Sequence, residues 1–494
     1  MTSVPETTRA RARTRVGVQA DDPNYKWWAL SCTSLGMLLA TINSGTLIIA
    51  LPDLERSLGT SLLELVWVIL VYMIASTVLV LTAGRLADLF GRKRAYVGGF
   101  LVFAFASLGA GFASGGTELI LWRILQGIGG AFLFANSAAI VTDAFPRKQL
   151  GLAMGTNTMV AAVGLVIGPV LGGALVLISW HWVFWFNVPL GIAGSIWAGL
   201  ILHELVSPDP ERRLDLLGTS VFVVGLTGLV LGISKGGLSG WSNPTVIVSL
   251  IVAAVLLPLF VFIESRAPAP MLDLGIFKNK LFAAASGAAF INGLSRFALL
   301  FIFVFYFQGP QGDDPIVAGI KLAPMAIAML IFSPLAGIVA DRHGSRALAA
   351  AGMVVTALGL ALMTLLQVDS PYWMSGLFLA IVGLGSAMFN SPNTAAMMGV
   401  VAQDRRGIAA GARVMLQNTG AVISIAFVLA VVTSAVPKDV LFKIFSGLAS
   451  GLSSAQLDPF INNMHIALWC LAGVSLLGAV VSMMRPAHVR EESL

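Results

Sequence analysis

Long apolar segments recur along this chain from residue 29 to residue 484, each near the roughly 20 residues a helix needs to cross the hydrocarbon core of a bilayer. They fall at 29–51, 64–86, 95–114, 117–143, 152–178, 183–205, 215–234, 244–264, 282–307, 316–338, 347–367, 372–399, 407–434 and 464–484, fourteen in all. No other feature constrains the fold as tightly, because backbone groups in hydrocarbon must bond to one another and a helix satisfies them within one segment. Composition agrees: 57% of the 494 residues are hydrophobic, 11% are charged, and the mean hydropathy is +0.88. The expectation is an all-α polytopic membrane protein set in a lipid bilayer, and a soluble class is excluded.

In a soluble domain the net charge of +6 would point to nucleic acid; here the placement of the charges accounts for it, and no nucleic-acid partner is expected. With the N-terminus inside, the tails and inward loops hold 22 of the 30 Lys and Arg, and the outward loops only Arg56, Lys235, Lys438 and Lys443. Basic residues gather on the cytoplasmic side, so both termini are placed in the cytoplasm. Residues 1–28, with "TRARARTR", read as a disordered basic tail, and residues 485–494 as a second tail. No signal peptide is expected, since the first apolar segment is long enough to span and lacks an A-x-A site. Cys32 and Cys470 lie in apolar spans and read as packing residues, with no metal site or cofactor indicated.

The chain repeats itself. At an offset of 253, Gly84, Ala87, Asp88 and Gly91 of "GRLADLFGRKR" meet Gly337, Ala340, Asp341 and Gly344 of "GIVADRHGSRA". At 256, an ungapped run pairs Gly127, Gly129, Ala131, Ala139, Gly151, Ala153, Gly155 and Gly164 with Gly383, Gly385, Ala387, Ala395, Gly407, Ala409, Gly411 and Gly420. Two six-helix units are expected, at 29–205 and 282–484, the second with an outward loop at 435–463 that carries a short interfacial helix. A helix pair at 215–264 is inserted between them. Parallel repeats of this kind mark transporters that rock two halves about a central site.

"GRLADLFGRK", "RILQGIGGA" (123–131), the spacing Gly155, Gly164, Gly168, Pro169, Gly172, Gly173 and "WHWVFWFNVPLG" (180–191) together resemble the major facilitator superfamily, in its fourteen-helix drug:proton antiporter branch. The resemblance covers nearly the whole chain and implies the major facilitator fold. It also implies that Gly84, Asp88, Gly91 and Arg92, with Gly337, Asp341 and Gly344, form a gating motif, and that the glycines and Pro169 of the fifth helix form an antiporter motif. Physically, small residues on one stripe let a neighbouring backbone approach closely. Asp88 is placed to cap or pair at a helix end.

The resemblance implies an aspartate in the first helix, ahead of "ALP"; that position here is Asn43. An amide carries no proton at physiological pH, and none of the 24 Asp and Glu lies at mid-membrane. Embedded cations are present instead. Arg123 and Asn43 lie at about 9 and 12 Å from the outer ends of their helices, counted at 1.5 Å per residue, so a direct hydrogen bond between them is expected. Arg296 is the approximate repeat mate of Asn43. Lys321 and Arg413 lie about 8 to 9 Å from a helix end, where long cations snorkel. With Gln126, Asn136, Asn157, Asn292, Asn390, Asn393 and Gln417 these residues describe a polar, net cationic cavity, suited to an anionic or neutral amphipathic substrate.

The functional expectation is a secondary exporter of drugs, toxic compounds or secondary metabolites in a bacterial cytoplasmic membrane. The substrate is a small molecule, the coupling proton is left open, and no protein partner is required. The sequence holds no phosphate-binding G-x4-G-K-[ST] loop for a primary pump and no buried catalytic pair for an enzyme. A facilitator or importer of a small anionic solute is the alternative, and a non-transporting sensor a remote one.

Overall fold

A computed structural model describes residues 22–486, apart from 147–148, 206–213, 269, 402–405, 435 and 446–451. The described helices are α1 (Tyr25–Leu58), α2 (Leu62–Phe90), α3 (Arg92–Ala110), α4 (Gly116–Ala144), α5 (Leu150–Val176), α6 (Trp182–Trp185), α7 (Asn187–Ile201), α8 (Leu216–Ser239), α9 (Pro244–Arg266), α10 (Lys280–Gln308), α11 (Pro315–His343), α12 (Ser345–Met363), α13 (Tyr372–Gly399), α14 (Arg406–Thr433), α15 (Lys438–Phe445) and α16 (Ser454–Met483), with a 3-10 turn at Leu274–Lys278.

Among the described residues, twelve helical stretches are long and apolar enough to cross a bilayer, with α6 and α7 acting as one. The two expected spans outside these twelve are α3, 19 residues long with a first turn of Arg92-Lys93-Arg94, and α5, a 27-residue helix several of whose side chains lie outside the described residues.

Several boundaries differ from the sequence expectation. The first helix starts at Tyr25, inside the expected tail, and runs through Pro52 to a left-handed cap at Gly59, φ 59°. The sixth span is interrupted only at Phe186, which keeps helical dihedrals between α6 and α7, and it ends at Ile201, because Leu202 is extended. Much of the expected outward loop is helical: α15 fills part of it, and α16 begins at Ser454 rather than 464. The Gln456 side chain accepts from the Ser453 backbone N–H at 3.0 Å, a capping contact that starts the helix early. Residues 1–21 and 487–494, the bulk of the expected tails, lie outside the described residues.

Packing repeats along the chain. α1 packs on α5 as α10 packs on α14; α2 on α4 as α11 on α13; α3 on α4 and α7 as α12 on α13 and α16. The two sets meet where α5 lies along α11 and α2 along α14. α8 and α9 pair with each other, and α8 also touches α2 and α14.

Candidate functional site

Three amides and an arginine knit the first helix set together. Arg123 and Gln126 stand one turn apart on α4, so their side chains share a face. The Arg123 Nε donates to the Val68 carbonyl on α2 at 2.9 Å, and its Nη1 donates to Gln126 Oε1. Its guanidinium carbon lies 4.3 Å from the Tyr72 ring centroid, a cation–π contact. Gln126 Nε2 in turn donates to Ser107 Oγ at 2.7 Å and to Asn43 Oδ1 at 3.2 Å. Asn187, the first residue of α7, donates its Nδ2 to the same Asn43 oxygen at 3.3 Å. Asn43 and Arg123 therefore do not bond directly; Gln126 stands between them and serves both. Asn43 and Arg123 are each 1% exposed and Gln126 is 0% exposed, so this network is sealed inside the helices that form it.

The second helix set holds a more open cluster. On α14, Arg413 Nη1 donates to Gln417 Oε1 at 3.0 Å, one turn away. Gln417 Nε2 donates to Asn390 Oδ1 of α13 at 3.1 Å and Asn292 Oδ1 of α10 at 3.4 Å. Asn390, Arg413 and Gln417 are half-buried. Arg296, one turn beyond Asn292, is buried against soft partners: its Nη1 is 3.7 Å from Met329 Sδ and its guanidinium 4.5 Å from the Phe297 ring, while its Nε has no hydrogen-bond partner among the described residues. Lys321 turns to an ion pair with Asp313 and a 3.1 Å bond to Gln311.

The remaining amides lie apart. Asn136 Nδ2 bonds back to Phe132 of its own helix at 2.8 Å, and Asn157 Nδ2 reaches Ser137 Oγ on α4 at 2.7 Å. Asn393 Nδ2 donates to the Ala285 carbonyl at 3.2 Å, and its Oδ1 accepts from Arg485 Nη2 at 2.5 Å. Arg485, expected as a solvated tail charge, is 1% exposed, because the turn after α16 folds it under Asn393 and Ser482. Burial lowers its pKa to about 10, leaving it protonated at neutral pH.

The loop motif is built on left-handed glycines. Gly91 has φ 101° and its repeat mate Gly344 φ 86°; each N–H closes the preceding helix, on Ala87 and Ala340, at 2.9 and 2.8 Å. That turn brings Arg92 onto Asp88 at 3.3 Å and onto Asp143 of α4. The Glu204 carboxylate accepts from the Lys93 and Arg94 N–H groups at 3.1 and 3.4 Å, an anion at the start of a helix. Gly84 and Gly337 lie on the helices before these turns, and the Asp341 side chain is outside the described residues.

On α5, three glycines face α1. A Cβ at Gly164 would fall 2.1 Å from Thr41 Oγ1, at Gly168 3.0 Å from the Gly45 Cα, and at Gly172 2.6 Å from the Thr46 carbonyl oxygen. The next residue faces the other helix set: a Cβ at Gly173 would lie 2.6 Å from the Ile316 Cα, and one at Gly319 2.6 Å from the Pro169 carbonyl oxygen. Gly155 lies on α5 in a stretch whose side-chain surroundings are outside the described set.

Tyr72, Ser107, Asn187 and Arg485 belong to these networks and were missed from sequence. Only Asn187 carried a signal, as the amide of "WFNVPLG".

Repeated helix pairs, charged glycine turns at matching positions and polar clusters inside apolar bundles define a membrane transporter of internally repeated design. The chain belongs to the Major Facilitator Superfamily, whose pattern matches residues 33–424 and again 285–493. It is 33% identical over 403 residues to the multidrug resistance protein Stp of Mycobacterium tuberculosis (strain ATCC 25618 / H37Rv), covering 80% of this chain and 74% of that one. It is 30% identical over 405 residues to the multidrug transporter protein MdtP of Bacillus subtilis (strain 168), covering 81% and 74%. In fold it is similar to the crystal structure of a bacterial homolog of the human lysosomal transporter Spinster, with a TM-score of 0.64 at 14% identity over 94% of this chain and 97% of that one.

Proposed function

We propose that this chain is a secondary active exporter of drugs or secondary metabolites that works by alternating access. The observation that carries this reading is the likeness, over four-fifths of the chain, to proteins named for multidrug resistance and multidrug transport. In the same reading fourteen segments cross a bacterial cytoplasmic membrane as two six-helix units around an inserted pair, with both ends cytoplasmic. The positive charge of the inward loops and the repeated packing pairs support it.

The moving surfaces are those where backbones meet: Gly173 on Ile316 and Gly319 on Pro169. Contacts without intervening side chains separate and re-form with little rearrangement. The turn of Asp88, Arg92 and Asp143 serves as a lock at the cytoplasmic end.

Substrate binds at the half-buried cluster of Arg413, Gln417 and Asn390, with the buried Asn292 and Arg296 behind it. Asn43, Arg123 and Gln126 form the rigid support in the other unit. The binding cluster supplies a cation and amides and contains no carboxylate, which suits anionic or neutral amphipaths. Sealed vesicles loaded with a labelled panel, with and without an imposed pH gradient, test the reading. Export of amphipaths against their gradient is expected; equilibration without accumulation at any pH would overturn it.

A further inference from the structure

An acid pair, one member buried and the other half-buried, stands outside both polar clusters, at the foot of the inserted helices. Asp215 caps α8, its Oδ1 accepting from the Gly218 N–H at 2.7 Å. Glu264, in the last turn of α9, is 2% exposed, and its Oε2 accepts from the Leu272 N–H at 2.8 Å. The second oxygen of each, Asp215 Oδ2 and Glu264 Oε1, is buried without a hydrogen-bond donor among the described residues. Both converge on one point: a Cβ at Gly218 would lie 2.5 Å from the first and 2.7 Å from the second. Only glycine leaves room for this approach.

Two carboxylate oxygens meeting out of water repel, and the pair is stable only when one proton lies between them. Among the described residues, the charged groups on neighbouring elements have other contacts or stay at the surface. Arg85 on α2 donates to the Pro270 carbonyl, Arg266 on α9 stacks at 4.3 Å on Phe262, and Asp273 caps the 3-10 turn through Gly275 at 2.8 Å. Lys278 and Lys280, ahead of and at the start of α10, are exposed.

The pair is coupled to both helix sets. One turn into α8, Thr219 Oγ1 donates to the Asp215 carbonyl at 2.6 Å, lies 3.2 Å from Thr82 Oγ1 of α2, and contacts Met271 Sδ at 3.3 Å. At the far end of α8, Gly237 packs directly on Ala430 of α14.

We propose that Asp215 and Glu264 share a single proton, forming a proton-binding site at the foot of the inserted pair, and that its loss drives the start of α8 away from α9 and from α2. The site lies in helices outside the repeat and away from Asn43. Its use in transport rests on the exporter reading; the proton itself does not.

Infrared spectroscopy on the full-length protein in detergent tests the site. Between about pH 5 and about pH 9 the wild type should lose a carboxylic-acid carbonyl band at a pH well above the ordinary carboxylate range. Glu264→Gln and Asp215→Asn should each remove the pair's share of that band. In Glu264→Gln the amide donates to Asp215 in the proton's place, so this variant should keep its thermal stability as pH rises while the wild type loses some. The sign follows from linkage: the folded state holds a proton that the unfolded state has released, so raising the pH favours unfolding. A band unchanged in both variants, or titration of the pair as an ordinary carboxylate, would overturn the proposal. In sealed vesicles, wild-type export should follow the imposed pH gradient and Glu264→Gln export should not. If neither exports anything, the exporter reading fails while the infrared result still decides the proton.

Discussion

Replacing Gln126 by leucine keeps its volume and removes a hub. The Arg123 Nη1 loses its side-chain acceptor, and Asn43 and Ser107 each lose a donor. A buried guanidinium N–H left unmatched costs about 2–3 kcal/mol. The two acceptors lose less, about 0.5–1 kcal/mol each, because Asn43 still receives Asn187 and the Ser107 hydroxyl still donates to Phe103 at 2.7 Å. The expected destabilisation is about 3–5 kcal/mol. Arg123→Met should cost less, about 1–2 kcal/mol, because the charge departs with its need for partners and leaves mainly the Gln126 oxygen unmatched. Gln126→Glu keeps the acceptor and neutralises the arginine but sets a carboxylate oxygen against Asn43 Oδ1, and should be milder than Gln126→Leu. Melting of the purified full-length protein in one detergent, followed by tryptophan fluorescence, reads the order. If Arg123→Met melts as low as or lower than Gln126→Leu, the arginine is not a charge held by Gln126 and the reasoning fails.

Asn43→Asp should fold normally, since an oxygen at that position already accepts two amide donors, and should steepen the pH dependence of vesicle transport; an unchanged profile places residue 43 in packing alone. Gly319→Val forces a side chain against the Pro169 carbonyl oxygen and should slow transport roughly tenfold or more, equivalent to about 1.4 kcal/mol, while reducing cross-linking between cysteines placed at 173 and 316. Gly91→Ala combines a φ of 101° with a Cβ placed 2.3 Å from Glu204 Oε1, and should lower stability by about 1–3 kcal/mol. Adding Glu204→Ala relieves the collision but not the backbone strain, so melting should recover only in part. Arg413→Gln should depress export of anionic amphipaths and spare neutral ones; equal export of both would remove the cluster from charge selection.

What could be read before any coordinates followed from properties of single segments. Apolar runs of sufficient length become helices because the bilayer leaves the backbone no other way to bond itself. Gly91 and Gly344 were visible because a repeated turn needs glycine at the same place in both copies, and the glycine stripe of α5 because one residue type recurred on one helical face. Family membership was legible for the same reason, since its motifs are local.

Relations between segments were not legible. Equal depth suggested that Asn43 meets Arg123, but helix rotation put Gln126 between them and brought in Asn187, Ser107 and Tyr72 from three further helices. Arg485 read as tail charge because nothing in its neighbours shows the chain folding back onto Asn393. Lys321 and Arg413 sat at snorkelling depth, yet each has a partner within reach, Asp313 and Gln417. The acid pair at 215 and 264 is farther still from sequence sight, because its two members become neighbours only when α8 and α9 close over Gly218. Sequence alone determined that this chain spans a membrane as repeated helices, since hydrophobic length and turn chemistry act within a segment. Which buried polar groups satisfy one another was decided by tertiary structure alone, through the angle and closeness at which those helices pack.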